Sequence, residues 1–422
     1  MAWAAWAGTA PPSHAGAVRL GVLYSLTGPF APSGALAGFR GTKIAIDMAN
    51  ERGGVAGRYR VEYVSVDAQS NPDIAIREAQ RLISVERVPA IVGVYSSSIA
   101  VPLAAIADRS RTVLWVTIAI SDAVVRDKHY RYVFRPTVPA FRYGETSVQF
   151  IRDVSQERLG APVQQVRFAV VYEDGPYGTS TAERNVDVLR ELGIQPVLRQ
   201  AYSSRSTDLS SLVLQLRAAR PDIILHTGYF PDTVLLLRQA RELGLKFKGI
   251  LGHGAGYANL AGLAEALGKE GGNYLFNIDP PAAQIINPRQ LAPGIPELIR
   301  EFLSRYEREF GDANPPAHAT MGFAHTWVLL QHVLPRALQL AGQITADSIR
   351  QAALELDLPD GSTPIGYGVR FAAPEDEWSG QNVRARPVVM QWVNGQLRLV
   401  YPFAMAGAPP VLPYPSDSPY AP

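Results

Sequence analysis

A chain of 422 residues, 47% of them hydrophobic, is too long for one ordinary core and holds enough apolar material to build two or three. Its 40 Lys and Arg against 38 Asp and Glu leave a formal charge of +2 with no long basic run, which excludes nucleic-acid binding driven by phosphate electrostatics. The absence of cysteine removes disulfides, thiolate nucleophiles and Cys-type zinc sites together.

Residues 1–17 are rich in small and apolar types and end in Ala15-Gly16-Ala17, a pattern like a signal-peptidase site, although the first basic residue is Arg19. They read as the back half of an export signal, so a soluble periplasmic protein is expected. No later apolar run reaches the roughly 20 residues a helix needs to cross a bilayer.

Val18 to Tyr24 is the first strand, followed by the loop Ser25 to Gly34 and a helix from Ala35 to Glu51 that stops at Gly53-Gly54. Tyr59 to Val66 alternates as a second strand, and Pro72 to Val85 is helical. Ile91 to Val94 is a short β-branched run without alternation, the pattern of a buried parallel strand. It breaks at Ser96, Ser97 and Ser98, and a helix begins near Ile99. A helix start offers unpaired N–H groups and the positive end of a dipole, a socket for a carboxylate. The same hydroxyls could equally serve only as caps. Thr112 to Thr117 is the next strand, breaking at Ile118-Ala119-Ile120-Ser121-Asp122, and Tyr130 to Arg135 is one more.

The pattern then restarts. A strand at Val166 to Tyr172, a turn at Glu173 to Gly178 and a helix at Thr179 to Leu192 lead to a strand at Val197 to Tyr202. Thr207-Asp208 stands ready to cap a helix ending at Ala219. Asp222 to His226 is a strand, Thr227 to Asp232 a loop, Thr233 to Leu243 a helix, and Phe247 to Leu251 leads into Gly252 to Tyr257. Helices at Ile295 to Phe310, Ala317 to Leu340 and Thr345 to Leu356 follow without strands between them. Strands return at Gly366 to Phe371, Arg386 to Val393 and Gln396 to Tyr401, the last two joined by an Asn394-Gly395 hairpin turn. The proline-rich tail from Ala406 reads as an extended or mobile appendage. Strands alternating with helices in two successive runs imply an α/β fold of two doubly wound parallel-sheet lobes.

Four loops at strand C-termini hold small hydroxyls, glycines and tyrosines: Tyr95 to Ser98, Ile118 to Ser121, Gly175 to Gly178 and Thr227 to Asp232. Such contents suit a small polar molecule held between aromatic faces. Enzyme templates fail in turn. His253-Gly254-Ala255-Gly256 looks like an esterase oxyanion loop but has no Gly-x-Ser-x-Gly elbow to serve. Gly41-Thr42-Lys43 lacks the earlier glycine of a phosphate loop, and Gly28 and Gly34 have the wrong spacing for a dinucleotide fingerprint. His318, His325 and His332 recur every seven residues, about 10.5 Å apart along a helix and too far for one zinc. Neither a cofactor nor a metal is expected.

Taken together, Gly21 to Phe30, Ala45 to Gly57, Gly93 to Ser98, Tyr177-Gly178 and Pro221 to Tyr229 resemble the type I periplasmic solute-binding proteins, in particular the branched-chain amino acid (Leu/Ile/Val) binding family of ABC importers. The resemblance runs from about Val18 to Tyr401 and implies two lobes joined by three crossings that close on a ligand. It puts the crossings near Pro136 to Ala140, Ile278 to Pro281 and Leu358 to Pro364. The first lobe is then 18–138 plus 281–357, the second 139–280 plus 358–405, with a tail at 406–422. It places the grip on a ligand carboxylate at Ser97, with Ser96 or Ser98 adjacent, and at the Ala119 backbone and Ser121. Tyr177 and Tyr229 close from the second lobe, with Phe30, Tyr95, Phe230, His253 and Tyr257 near the cleft.

Amino-acid binders of the family place an acid after the strand that here ends at Leu251, and Gly252 to Tyr257 contains none. A buried ammonium left unpaired costs several kcal/mol, so an amino acid requires Asp232 or Asp122 as a substitute. Aromatic or other organic acids, and amides, stand beside amino acids as ligands. The expected partners are this small molecule and an ABC permease, with the chain acting as a monomer. The alternative is a cytoplasmic ligand-sensing regulator of the same fold.

Overall fold

The computed structural model describes residues 16–422, so the export-signal expectation falls mostly on residues outside it. Eight elements open the chain: β1 (Gly16–Tyr24), α1 (Leu36–Glu51), β2 (Tyr59–Asp67), α2 (Pro72–Ser84), β3 (Ala90–Gly93), α3 (Ser97–Arg109), β4 (Val113–Val116) and β5 (Val133–Phe134). Their strands form a parallel sheet in the order β2-β1-β3-β4-β5. Every residue of β3 and β4 is buried, which is why these strands carry no alternation.

The second run is α4 (Ala140–Val154), β6 (Phe168–Glu173), α5 (Pro176–Glu191), β7 (Leu198–Tyr202), α6 (Ser210–Ala219), β8 (Ile223–Thr227), α7 (Phe230–Glu242), β9 (Gly249–His253), α8 (Leu260–Gly272) and β10 (Phe276–Asp279). Helices α9 (Ile295–Phe310), α10 (Ala317–Val328), α11 (Leu334–Ala341) and α12 (Ala346–Leu354) follow. The chain closes with β11 (Asp357–Leu358), β12 (Val369–Arg370), β13 (Val388–Val393) and β14 (Gln396–Tyr401). The second sheet has the order β14-β13-β10-β9-β8-β6-β7, parallel except where β13 and β14 add antiparallel at one edge. Two doubly wound α/β lobes are thus present.

Helix α10 returns to the first lobe by packing on α1 at backbone distance. A Cβ on Gly41 would stand 2.1 Å from the Ala319 carbonyl oxygen, and one on Gly322 would stand 2.0 Å from that of Gly38. The expected single helix from Ala317 to Leu340 is divided by a π-turn at Leu329–Val333. Pro335, just beyond it, has no N–H to donate and needs room for its ring, and the wider turn supplies that room. Prolines set other boundaries too: α5 and α7 begin at Pro176 and Phe230, each three residues earlier than expected, with proline in the first turn. Helix α6 starts at Ser210, whose N–H is accepted by Asp208 at 2.8 Å.

Two boundaries differ from the resemblance. Residues 371–382 lie on the first sheet: Phe371 packs against Trp115 and Phe134, Arg135 N–H donates to Gly380 O, and Asn382 N–H to Arg135 O. The third passage between sheets therefore falls after Asn382, between it and Val388, and not at Leu358 to Pro364. The tail from Ala406 is no mobile appendage. Leu412, Tyr414 and Tyr420 are buried, and Tyr420 stacks on Phe247 with ring centroids 5.2 Å apart. The Tyr414 N–H donates to Lys248 O, and the Phe247 N–H to Tyr420 O. Prolines keep this segment extended, and its apolar and aromatic side chains then supply the burial that pins it.

Candidate functional site

The first-lobe face grows from the end of β3. Gly93 (φ +130°) brings the backbone so near that a Cβ would lie 2.3 Å from Leu23 O, and Val94 takes a left-handed φ of +67°. The chain is thereby swung into the serine cluster at the start of α3. Ser96 sits at the N-cap without making a capping bond; its hydroxyl pairs with Ser98 Oγ at 2.7 Å. Ser97 Oγ accepts the Ser121 N–H at 3.1 Å, which leaves its own O–H to donate. Arg135, fully buried, donates to the carbonyls of Ile120 and Ser121 and to Gln381, fixing that second loop against the strand crossing. Burial pulls its guanidinium down to about 10 and lifts the neighbouring Asp122 carboxyl to about 6.

The second-lobe face is aromatic and braced from behind. Tyr177, in the first turn of α5, donates its hydroxyl to the His253 carbonyl. Tyr229 precedes α7, and its N–H donates to both carboxylate oxygens of Asp232 at 3.1 Å. The Tyr202 hydroxyl reaches Asp232 Oδ2 and His226 Nε2, and Tyr257 hydroxyl reaches His226 Nδ1. Thr227 Oγ1 pairs with His253 Nδ1 at 2.8 Å. Burial lifts Asp232 to about 7 and depresses His226 and His253 to about 3, so both imidazoles are neutral at neutral pH.

The two faces meet. Tyr229 lies against Phe30 with ring centroids 4.4 Å apart, flanked by Tyr95 at 6.1 Å and Tyr177 at 5.3 Å. Its hydroxyl stands 3.3 Å from Ser96 Oγ. Phe230 N–H donates to Ser33 Oγ, and Ser121 Oγ pairs with Ser180 Oγ on α5 at 2.9 Å. Between the faces is a cavity of about 20 Å³, lined in part by Tyr95, Ser97, Tyr177 and Tyr229.

The other expected site residues lie around this cavity without lining it. Ser96 is spent on Tyr229, while Ser98 and Phe30 face the groove at the cleft mouth. The Ala119 N–H is donated to Val94 O, and its neighbours Ile118 and Ile120 line the cavity instead, a shift of one residue. Ser121 bridges to the second lobe, and the His253 ring is held by Thr227 while Gly254 and Ala255 take the cavity wall.

Three lining residues were not among the expected ligand-site residues: Asp279 at the end of β10, His318 on α10, weighed from the sequence only as a metal ligand, and Tyr143 on α4. Tyr143 donates to Asp279 Oδ1 at 2.7 Å, and His318 Nε2 is 3.4 Å from Oδ2. Asp279-Pro280-Pro281 within an expected crossing was the available signal. The heptad histidines have separate roles, His325 bonding Thr117 O and the Tyr367 hydroxyl.

Two sheets whose strand ends face one another across a small cavity, lined by the Ser97 hydroxyl and by tyrosines, define a protein that encloses a small molecule. The periplasmic binding protein family profile matches residues 17–386, and the chain belongs to that family, whose members bind solutes and do not transform them. It is 34% identical over 400 residues to "Leu/Ile/Val-binding protein homolog 7" of Brucella suis biovar 1 (strain 1330), covering 95% of this chain and 94% of that one. Among solved structures it is similar to a leucine-binding protein of Thermotoga maritima (TM-score 0.73, 22% identity, 90% of this chain and 97% of that one). It is also similar to a solute-binding protein of an ABC transporter from R. palustris in complex with benzoate (TM-score 0.72, 17% identity, 90% and 94%).

Proposed function

We propose that this protein is the periplasmic solute-binding component of an ABC importer, a monomer that closes two lobes on a small carboxylate-bearing ligand and presents it to a permease. The observation that carries this is the seating of Tyr229 from the second lobe on Phe30 and Ser96 of the first, over the start of α3. Leucine and benzoate, named for two of the similar structures, share a carboxylate. The Ser97 hydroxyl and the positive end of the α3 dipole suit that group. Ile118, Ile120 and the tyrosines suit an apolar remainder.

A cavity of about 20 Å³ holds about one water, so a ligand of this size enters with the lobes parted and is enclosed as they close. Small-angle scattering combined with calorimetry tests this, using leucine, phenylalanine, benzoate and acetamide as probes. Binding by one class should be accompanied by a smaller radius of gyration. Heat without compaction, or product formation from any probe, would sink the proposal.

A further inference from the structure

We infer that Asp279 reads a positively charged nitrogen on the ligand, taking the place of the acid that Gly252 to Tyr257 lacks. This rests on the cleft being the solute site. Asp279 is fully buried at the end of β10, where the second sheet passes toward the first lobe. One oxygen, Oδ1, accepts the Tyr143 hydroxyl. The other, Oδ2, has no hydrogen-bond partner among the described residues, and Asp279 lines the same cavity as Ser97 and Tyr229. Burial and the nearby carboxylate hold the Tyr143 hydroxyl well above its ordinary range, so it remains a donor and orients Asp279.

Among the described residues, the basic side chain on that cavity is His318, whose Nε2 stands 3.4 Å from Oδ2. Its Nδ1 has no partner among the described residues either, and the loop at Gly34 crosses it so closely that a Cβ there would lie 2.0 Å away. A buried carboxylate with an open oxygen is costly unless a cation or donor completes it. A ligand ammonium does so, at the end of the cavity formed by Asp279, Tyr143 and His318. The two acids weighed from the sequence are otherwise engaged: Asp232 holds the Tyr229 N–H and the Tyr202 hydroxyl, and Asp122 accepts the Phe141 N–H beside Arg135. Asp279 would then select zwitterions over simple acids, from a strand crossing and not from a loop.

Matched pairs test this by calorimetry on the full chain: leucine with 4-methylpentanoate, and phenylalanine with 3-phenylpropanoate, each pair differing only in the amino group. In the parent, the amino member of at least one pair should bind at least about 30-fold more tightly than its partner. In Asp279→Asn that gap should shrink to within about threefold, with the acid's own affinity kept. Equal binding within both pairs, a gap that survives the substitution, or binding of benzoate while all four probes are silent would overturn the role of Asp279. Silence of all four together with benzoate and acetamide would overturn the solute site as well. If Asp279→Asn does not reproduce the parent's circular dichroism spectrum, Asp279→Ser, smaller and neutral, is read in its place, and a gap that survives it overturns the role of Asp279.

Discussion

The two walls of the cleft are built on different principles. The first-lobe wall, where Ser97 stands beside Tyr95, Ile118 and Ile120, is positioned by the backbone: a glycine at β3, a left-handed Val94, and serine hydroxyls tied to one another and to the Ser121 N–H. The second-lobe wall is made of tyrosines backed by a buried layer of ionisable groups: Asp232 holds the Tyr229 N–H, and His226 and His253 lie in bonds to Tyr202, Tyr257 and Thr227. A wall set by backbone geometry tolerates loss of a side chain, whereas a wall braced by side chains transmits each loss and responds to protons.

The largest expected effect is on the aromatic wall. Tyr229→Ala removes the ring that contacts Phe30, Tyr95 and Tyr177, and should weaken the tightest-binding probe by about 100-fold in calorimetry. Tyr229→Phe, which loses only the contact to Ser96, should cost no more than about tenfold. Parity between the two variants would mean that the hydroxyl and not the ring does the closing. On the serine wall, Ser97→Ala should weaken binding by about tenfold, the worth of one charge-assisted hydrogen bond, and leave the melting temperature within a few degrees.

Protons should distinguish the walls next. Asp232 in the folded chain titrates near 7 instead of its ordinary 3.8, so the folded state holds its proton more firmly than the unfolded one. That contribution to stability is complete below about 3.8 and is lost as pH rises through about 7. Asp232→Asn should therefore gain melting temperature relative to the parent between pH 4 and pH 8, by a few degrees. The histidines carry the opposite sign: their stabilisation is present above 6.5 and lost as pH falls toward about 3. A melting curve for Asp232→Asn that parallels the parent's across this range would break the contrast. The smallest effect should come from Ser96→Ala, within about threefold in affinity, since Ser96 supports Tyr229 from outside the cavity.

Much of this architecture is legible in the sequence because buried parallel strands announce themselves, as Ile91 to Val94 does by its unbroken apolar run. The unread elements lack such signals. Helix α4 carries Gly144, Thr146, Ser147 and Val148, poor helix formers in isolation, and is held by packing: a Cβ on Gly144 would be 2.9 Å from Asn185 N and Thr181 O. Helix α8 is similarly interrupted, with Gly268 at φ +78°. Of the cavity lining, Tyr95, Ser97, Tyr177 and Tyr229 follow strand ends and could be read locally. Asp279, Tyr143 and His318 come from three distant elements, and only the folded chain brings them together.

The buried tail changes what can safely be cut from this molecule. Its aromatics cover Phe247 and lie against Gly249, where a Cβ would come 2.7 Å from the Leu412 side chain. A chain trimmed ahead of Leu412 would bare a greasy flank on the second sheet, and what looks like dispensable trimming would yield a protein that clumps.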